Sequence, residues 1–410
     1  MIRLHTLEKI WLLFMAVAVI SNCVGFSFLP SYYYVVALLS FIPFLFVRND
    51  IKVSYGILLL LLVSFFSIPI GQPDIRFRSY ERLGYFTLMA IVISPMFYSK
   101  SLSYYRSRLL YIVSCLIVIL CVGSFFCWFL GINFMRIGEG TLYEEDFSVG
   151  GTFGGLVKHS MLLGPLCGIA CIFILYSNNG IFEKKWIKIT LILCTLGALF
   201  FSASRGALIA TGVSMFFYLY KKSKNPIKFM KVGVAVIVIL AVTFPLWKFM
   251  LDGIVYKNEY RNDAESGFLN SRMYLYEHRL DEFLSNPITG VGFASAKYFS
   301  YGEVHLSGTV EYGNSWLCIF STIGLLGAIP TVYVLLRCFI KNVKISRTNT
   351  YSLYLSSLLL LFFVHFMLEG YIFSAGNPLC FLFWLLVSIA YDADSLFPAC
   401  ISSRNVSCNN

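Results

Sequence analysis

The chain has 410 residues, of which 58% are hydrophobic and 13% charged, and its mean hydropathy is +0.75. This excess of apolar side chains excludes an ordinary soluble domain, because a single core could not bury them and part of the surface must face lipid. The net charge of +11 would suggest nucleic acid as a partner of a soluble protein, but here the placement of the charges matters more, and no nucleic-acid partner is expected.

Apolar runs long enough to cross a bilayer recur along the chain. They predict an all-α, polytopic transmembrane helix bundle of about twelve helices, folded as one domain over residues 1–410. The first run follows Arg3 and Lys9 and is expected to remain as an uncleaved helix, because no small-residue cleavage site follows it. The predicted spans are residues 10–27, 31–47, 53–70, 83–98, 109–130, 152–178, 187–202, 206–220, 232–250, 313–340, 351–369 and 377–391.

Basic residues cluster in alternate connections between these runs. If both termini are cytoplasmic, the clusters all lie inside, as the positive-inside rule requires. This orientation puts residues 221–231 inside and residues 251–312 outside. The inside cations are Arg48, Lys52, Lys100, Arg106, Arg108, Lys184, Lys185, Lys188, Lys221, Lys222, Lys224, Lys228, Lys231, Lys341, Lys344 and Arg347.

A smaller set of basic residues falls on the outside. One interpretation is that they pair with the outside carboxylates, and the other is that they form a cationic pocket for an anionic substrate. The outside cations are Arg76, Arg78, Arg82, Arg136, Arg205, Arg261, Arg272 and Arg279, and the carboxylates are Asp74, Glu81, Glu144, Glu145, Asp146 and Glu265.

Residues 251–312 form the one long polar connection, a large periplasmic loop in the predicted orientation. Structureless loops of this length are uncommon unless they are functional. Apolar residues recur at helical spacing from Asn270 to Ser285, with Pro287 as a stop, and predict an amphipathic helix over the mouth of the bundle. The alternative is a lid that packs on lipid headgroups.

Several kinds of chemistry lack their usual signatures. The twelve cysteines fall mainly within or beside the predicted spans, so no disulfide framework is indicated. The sequence contains no Cys-x-x-Cys motif, no His-Glu-x-x-His motif and no Gly-rich phosphate loop. Neither a metal nor a cofactor is therefore expected.

Four short motifs occur in order between about residues 150 and 330. They are Gly151–Thr152–Phe153 with Lys158–His159 and Leu163–Gly164–Pro165; Ser204–Arg205–Gly206–Ala207; Ser271–Arg272 with the segment 286–293; and Gly313–Asn314–Ser315 with Ile323–Gly324–Leu325. Together these motifs resemble those of the O-antigen ligase and O-antigen or exopolysaccharide polymerase family of integral membrane glycosyltransferases. Where many members of that family carry a His-Asn pair, this chain has Gly313–Asn314.

The resemblance implies a GT-C-like bundle in the bacterial inner membrane that transfers sugars without a metal at the periplasmic face. Its partners would be an undecaprenyl-diphosphate-linked glycan donor, a glycan or lipid A-core acceptor, membrane lipids and a chain-length regulator. The favoured function is polymerisation of lipid-linked repeat units into O-antigen, capsular or exopolysaccharide. The alternatives are a ligase that transfers the glycan to the lipid A-core, and a polysaccharide transporter or flippase.

The same resemblance suggests which residues form the site. Arg205 and Arg272 would stabilise charge on the diphosphate, and either His305 or Glu311 would be the general base. Lys158 and His159 are predicted to lie about two turns inside a helix, where the cost of burying charge favours a role in a pocket. The predicted substrate-binding residues are Lys158, His159, Ser204, Gly290, Gly292, Asn314, Arg76 and Arg78. The glycines have an alternative role as turn formers.

Overall fold

The computed structural model describes residues 2–26, 29–30, 32–46, 50–137, 141–142, 153–223, 270–296 and 313–393, with single residues between 225 and 233. Within these residues the protein is all-α apart from two antiparallel pairs of two-residue strands and two short 3-10 turns, which confirms the all-α part of the predicted fold class.

The helices in chain order are α1 Ile2–Ser21, α2 Tyr32–Leu39, α3 Ile42–Phe46, α4 Tyr55–Gly71, α5 Ser79–Ile93, α6 Lys100–Phe129, α7 Ser160–Tyr176, α8 Lys185–Phe201, α9 Arg205–Lys222, α10 Asn270–Ser285, α11 Ser315–Ile345, α12 Thr350–His365 and α13 Pro378–Tyr391. Strand β1 (Lys52–Val53) pairs with β2 (Phe97–Tyr98), and β3 (Arg136–Ile137) pairs with β4 (Thr141–Leu142).

Several helices begin where a polar side chain can cap the free backbone N–H groups. Ser99 caps α6, Asn349 caps α12 and Asn377 caps α13, each through a side-chain oxygen that accepts an N–H of the first turn. The amphipathic helix predicted over Asn270–Ser285 is present with those bounds as α10.

The predicted run 31–47 is not one helix, because the structure divides it into α2 and α3. The amide of Phe41 donates to the carbonyl of Leu38, which tightens the chain into a turn at the end of α2. Pro43 follows in the first turn of α3, where its missing N–H is tolerated, although it would interrupt a continuous helix. The predicted run 232–250 lies largely outside the described residues.

Two helices of the described part, α6 and α11, are long and apolar enough to cross a membrane. Helices α4, α7, α12 and α13 are apolar but shorter. Helix α13 lies at the centre of the bundle, and every residue from Pro378 to Ala390 is buried. It packs against α5, α6, α11 and α12, as expected for a helix that is apolar on all sides.

The two ends of the bundle differ in charge. At one end, here called the lysine end, Lys341 Nζ donates to the carbonyl of Tyr391, and Ser103 Oγ donates to the carboxylate of Asp392. This end therefore combines the start of α6 with the ends of α11 and α13, and the neighbouring helix ends add to its charge. Its lysines are Lys100, Lys184, Lys185, Lys221, Lys222, Lys341 and Lys344.

Helix α11 is interrupted at Gly324, although the sequence predicts a continuous span. Gly324 has φ 56° and ψ −168°, a combination essentially restricted to glycine. The segment 287–292 lies beside this break and supplies the hydrogen bonds that the helix lacks. The amides of Val291 and Gly292 donate to the carbonyls of Ser321 and Thr322, and the amides of Leu325 and Leu326 donate to those of Pro287 and Ile288, at distances of 2.8–3.1 Å.

Candidate functional site

A cavity of about 920 Å³ lies at the end of the bundle opposite the lysine end. Its volume is within the range of small-molecule sites. The ionisable or basic side chains that line it, tyrosines aside, are Arg82 of α5, Lys158 and His159 before α7, His365 at the end of α12, and Glu369 in the following turn. The sequence singles out Lys158 and His159, and the structure brings both to this cavity.

Lys158 and His159 do not lie inside a helix as predicted, because α7 begins only at Ser160. The preceding residues form a turn and then a β-bridge between Val157 and Val24, and they are bonded to other parts of the chain. The amide of Lys158 donates to the carbonyl of Cys23 over 3.0 Å, and the carbonyl of Leu156 accepts from Gly25 over 2.9 Å. These contacts replace the bonds of a helical turn, which the adjacent Gly154 and Gly155 would in any case disfavour.

His159 is the N-cap of α7. Its Nδ1 accepts the backbone N–H of Met161 over 3.1 Å, so the neutral ring carries its proton on Nε2. In this arrangement His159 presents a hydrogen-bond donor rather than a base. A donor beside Lys158 suits recognition of an anionic oxygen.

The start of α9 lies close to both α7 and α12. A β-carbon on Gly164 would lie 2.7 Å from the β-carbons of Ser204 and Ala207, so the second and first sequence motifs are in direct contact. A β-carbon on Gly206 would lie 3.1 Å from Leu368 and 3.8 Å from the ring of His365. The small residues therefore let the start of α9 approach the wall of the cavity.

Arg205 is the first residue of α9 and is half-buried. The buried Ser204 precedes it, and the Ser204 side chain forms no capping bond to the helix. The N-terminus of a helix carries free N–H groups and partial positive charge. Arg205 and the helix end therefore offer positive charge beside the turn that carries His365.

The wall opposite α7 is the connection from α12 to α13. His365 Nδ1 is hydrogen-bonded to the hydroxyl of Tyr371 over 2.8 Å, and both residues are buried. Burial, together with the nearby Glu369 carboxylate, raises the pKa of the Tyr371 hydroxyl, so Tyr371 stays a neutral phenol.

Asn314 and Ser315 hold this connection in place. Asn314 Oδ1 caps α11 by accepting from Leu317, while its Nδ2 donates to the carbonyl of Met367. Ser315 Oγ donates to the carbonyl of Glu369 over 2.7 Å and accepts the amide of Tyr371 over 3.0 Å. The contacts of the fourth motif thus position the cavity wall, and the described contacts of Asn314 are structural.

Gly290 and Gly292 belong to the segment that pairs with the broken helix α11. The amide of Gly290 donates to the carbonyl of Asn286, and that of Gly292 to Thr322. The following residues connect the segment to the cavity, because Phe293 packs on Phe373 and Ala294 lines the cavity itself. These contacts favour the role of the two glycines as turn formers.

Arg76 and Arg78 form ion pairs, as the first interpretation of the outside cations expects. Arg76 bonds to both carboxylate oxygens of Asp74, and these hydrogen bonds lower the pKa of Asp74 to about 2. The guanidinium of Arg78 lies 3.7 Å from Glu81. Neither arginine is among the described residues that line the cavity, whereas Arg82, one turn into α5, is.

Arg279 is also paired, with Glu282 in the same helix, over 2.7 Å. Both side chains are buried, and Arg279 also donates to the carbonyl of Ser295, which fastens α10 to the segment beside the cavity.

The remaining predicted residues lie outside what the structure describes. His305 and Glu311 fall outside the described residues. Arg272 belongs to α10, but its side chain lies outside the described part. Among the described residues, no group of three or more His, Cys, Asp or Glu side chains is placed to hold a metal ion.

Sequence reasoning did not assign Arg82, His365, Glu369 or Tyr371 to one site. The sequence marks Arg82 as an outside cation, and it marks His365 and Glu369, near the outer end of the predicted span 351–369, as functional candidates whose alternative role is to pair with each other. Those signals identify candidates, but not their convergence, which depends on how α5, α7 and α12 pack.

Comparison with known proteins agrees with the motif resemblance. A model of the family described as O-antigen ligase matches residues 190–332, which include α9, α10 and the first part of α11. Comparison with curated proteins returns no match. The apolar helices and this match indicate a membrane protein. The match to residues 190–332 and the four motifs support the resemblance of this part of the chain to the O-antigen ligase and polymerase family.

Proposed function

We propose that the protein polymerises undecaprenyl-diphosphate-linked oligosaccharide repeat units at the periplasmic face of the inner membrane. The observation that carries this proposal is the cavity that gathers Arg82, Lys158 and His159 next to the start of α9. Its cations and the His159 donor suit a diphosphate, and a lipid-linked sugar diphosphate is the substrate class that the family suggests.

The chemistry needs little beyond positioning and charge stabilisation, because the diphosphate is already a good leaving group. Arg205, the end of α9 and Lys158 would hold the diphosphate oxygens, with Arg272 as a further cation. Arg76 and Arg78 are the more distant candidates, since each already has a carboxylate partner. No described residue is needed to bind a metal in this scheme.

The charge asymmetry of the bundle supports the assigned side. Lysines collect at the end opposite the cavity, and the positive-inside rule places such an end in the cytoplasm. The cavity would then open at the periplasmic face, where lipid-linked repeat units are joined after export. The lipid tail would lie between helices, with the diphosphate at the cavity.

A second candidate, transfer of the finished glycan to the lipid A-core, is favoured by the description of the matching family as O-antigen ligase. The polymerase is preferred because no sequence element of the chain can be tied to a lipid A acceptor. Both activities would use the same donor and release the same undecaprenyl diphosphate.

Deletion of the gene tests the proposal, with analysis of the glycans on the lipid carrier and on the surface. A polymerase deletion should leave single repeat units and no long chains, and the cloned gene should restore the long chains. Long chains that accumulate on the lipid carrier would instead identify a ligase. Repeat units confined to the inner leaflet would identify a flippase and refute both transferase assignments.

A further inference from the structure

Among the described residues that line the cavity, Glu369 is the only carboxylate. The same lining holds Arg82, Lys158 and His159, so the cavity is otherwise suited to an anion. A carboxylate in such a place weakens the binding of a diphosphate by like-charge repulsion. Its presence there calls for a role that a neutral side chain could not fill.

The backbone of Glu369 is held from two sides. Its amide donates to the carbonyl of His365 over 3.0 Å, and its carbonyl accepts from the amide and the hydroxyl of Ser315 over 3.1 and 2.7 Å. This places Glu369 on a fixed turn that follows α12 and is hydrogen-bonded to the start of α11. A fixed position with a half-exposed side chain is what a group that exchanges protons with a bound substrate requires.

The turn also lies beside the cationic part of the site. Gly206, next to Arg205, brings the start of α9 to within contact distance of His365 and Leu368, and Glu369 follows directly. An acceptor hydroxyl that reaches Glu369 would thus be near the place where the diphosphate is held. A base at Glu369 and the site that holds the leaving diphosphate would therefore be close enough to act in a single displacement reaction.

We infer that Glu369 is the general base that takes the proton from the acceptor hydroxyl. The inference rests on the proposed glycosyl transfer and names Glu369 in place of His305 or Glu311. The acceptor oxygen forms a bond to the anomeric carbon, and the bond from that carbon to the diphosphate oxygen breaks. Its electron pair leaves on undecaprenyl diphosphate, while the hydroxyl proton passes to the Glu369 carboxylate and then to water.

The competing explanation is that Glu369 only balances the charge of Arg82 and Lys158. A structural charge would be needed for binding or folding, whereas a base is needed for turnover. Substitutions that separate these effects are Glu369→Gln, which keeps the shape, and Glu369→Asp, which keeps the carboxylate but retracts it. Glu277→Gln is the matched control, because Glu277 is exposed on α10 and does not line the cavity.

The assay uses purified full-length protein and lipid-linked oligosaccharide extracted from the deletion strain, with and without added lipopolysaccharide core. Release of undecaprenyl diphosphate is measured, since polymerase and ligase both produce it. Glu369→Gln should lower the turnover rate by about a hundredfold or more, the range of a lost general base. Its binding of undecaprenyl diphosphate should change by less than about threefold, because a base acts mainly in the transition state.

Glu369→Asp should give a rate between those of wild type and Glu369→Gln, and Glu277→Gln should match wild type. A wild-type rate in Glu369→Gln or Glu369→Asp overturns the inference, as does a loss of undecaprenyl diphosphate binding that equals the loss of rate. If neither Glu369 variant folds, as judged by thermal unfolding, the residue is structural and the inference also fails. If wild-type protein releases no undecaprenyl diphosphate, the proposed function itself is wrong.

Discussion

Arg205 combines two sources of positive charge at one point. Its guanidinium is the first side chain of α9, whose free N–H groups face the same end of the helix. The contact of Gly206 with His365 and Leu368 places this point at the wall of the cavity. A diphosphate there would meet both the guanidinium and the helix dipole, which is the usual arrangement of an anion site.

Replacing Arg205 tests whether this charge acts on the reaction. Arg205→Ala should reduce glycan formation by about a hundredfold or more, the cost of losing one donor that stabilises developing charge. Arg205→Lys should recover only part of the activity, because lysine keeps the charge but loses the planar fork. The measurement is glycan formation in membranes with matched amounts of each variant.

The control for this series is Arg108→Ala, which removes an exposed arginine on α6, stacked over Tyr104. It should leave glycan formation unchanged. Near-normal activity in Arg205→Ala would eliminate Arg205 from the site. Equal activity of the Lys and Arg forms would mean that Arg205 only anchors the end of the helix.

The sequence predicts which residues line the cavity better than it predicts the local structure around them. Lys158 and His159 do reach a cavity, but not for the predicted reason, since they precede α7 instead of lying within it. The error arises because the apolar run around them does not reveal that the backbone of this segment is hydrogen-bonded to Cys23 and Gly25. Such long-range pairing leaves no periodic signal in the sequence.

Helix α11 and the segment 287–292 form one structural unit. The break at Gly324 leaves carbonyls before it and amides after it without helical partners, and the segment satisfies both sets. Unsatisfied backbone groups are costly inside an apolar bundle, so the helix and the segment depend on each other. The unit also places Phe293 and Ala294 at the cavity.

Gly324→Ala should destabilise the protein by at least about 1–3 kcal/mol, because a side chain is strained at this backbone conformation. Its β-carbon would also lie 2.6 Å from the amide of Gly290. Thermal unfolding of the purified protein should show a lower midpoint, with reduced glycan formation. Gly212→Ala is the matched control, since a β-carbon there meets open space within α9. Equal midpoints for the two variants would contradict the dependence of α11 on this break.

Helices were predictable from the sequence where the burial of apolar side chains alone determines them. Hydropathy located the apolar helices of the described residues, and periodicity located α10 with its bounds. The break in α11 and the division of α2 from α3 were missed, because both occur inside runs that remain apolar throughout. In each case a local backbone constraint, at Gly324 or Pro43, outweighs the hydropathy pattern.

In the described part of the molecule, the lysine-rich end of the bundle lies away from the cavity. Lysines lie at the ends of α9 and α11 and at the start of α8, while the cavity lies at the opposite end, where α7, α9 and α11 begin. Opposite ends of one bundle therefore carry the topology signal and the candidate chemistry. The positive-inside rule predicts that the lysine end is cytoplasmic, and a donor exported across the membrane would then meet the cavity.

Cysteine labelling in intact cells tests this orientation. Residue 277 is exposed on α10 near the cavity end, and residue 225 is exposed just beyond the lysine-rich end of α9. A cysteine at Glu277 should react with a membrane-impermeant maleimide, because its end of the bundle faces outward. A cysteine at Asn225 should react only after permeabilisation. The described native cysteines are buried or half-buried, and labelling of the unsubstituted chain gives the background signal. Labelling at Asn225 with protection at Glu277 would show that the orientation is the reverse of the proposed one. The cavity would then face the cytoplasm, where an exported donor could not reach it.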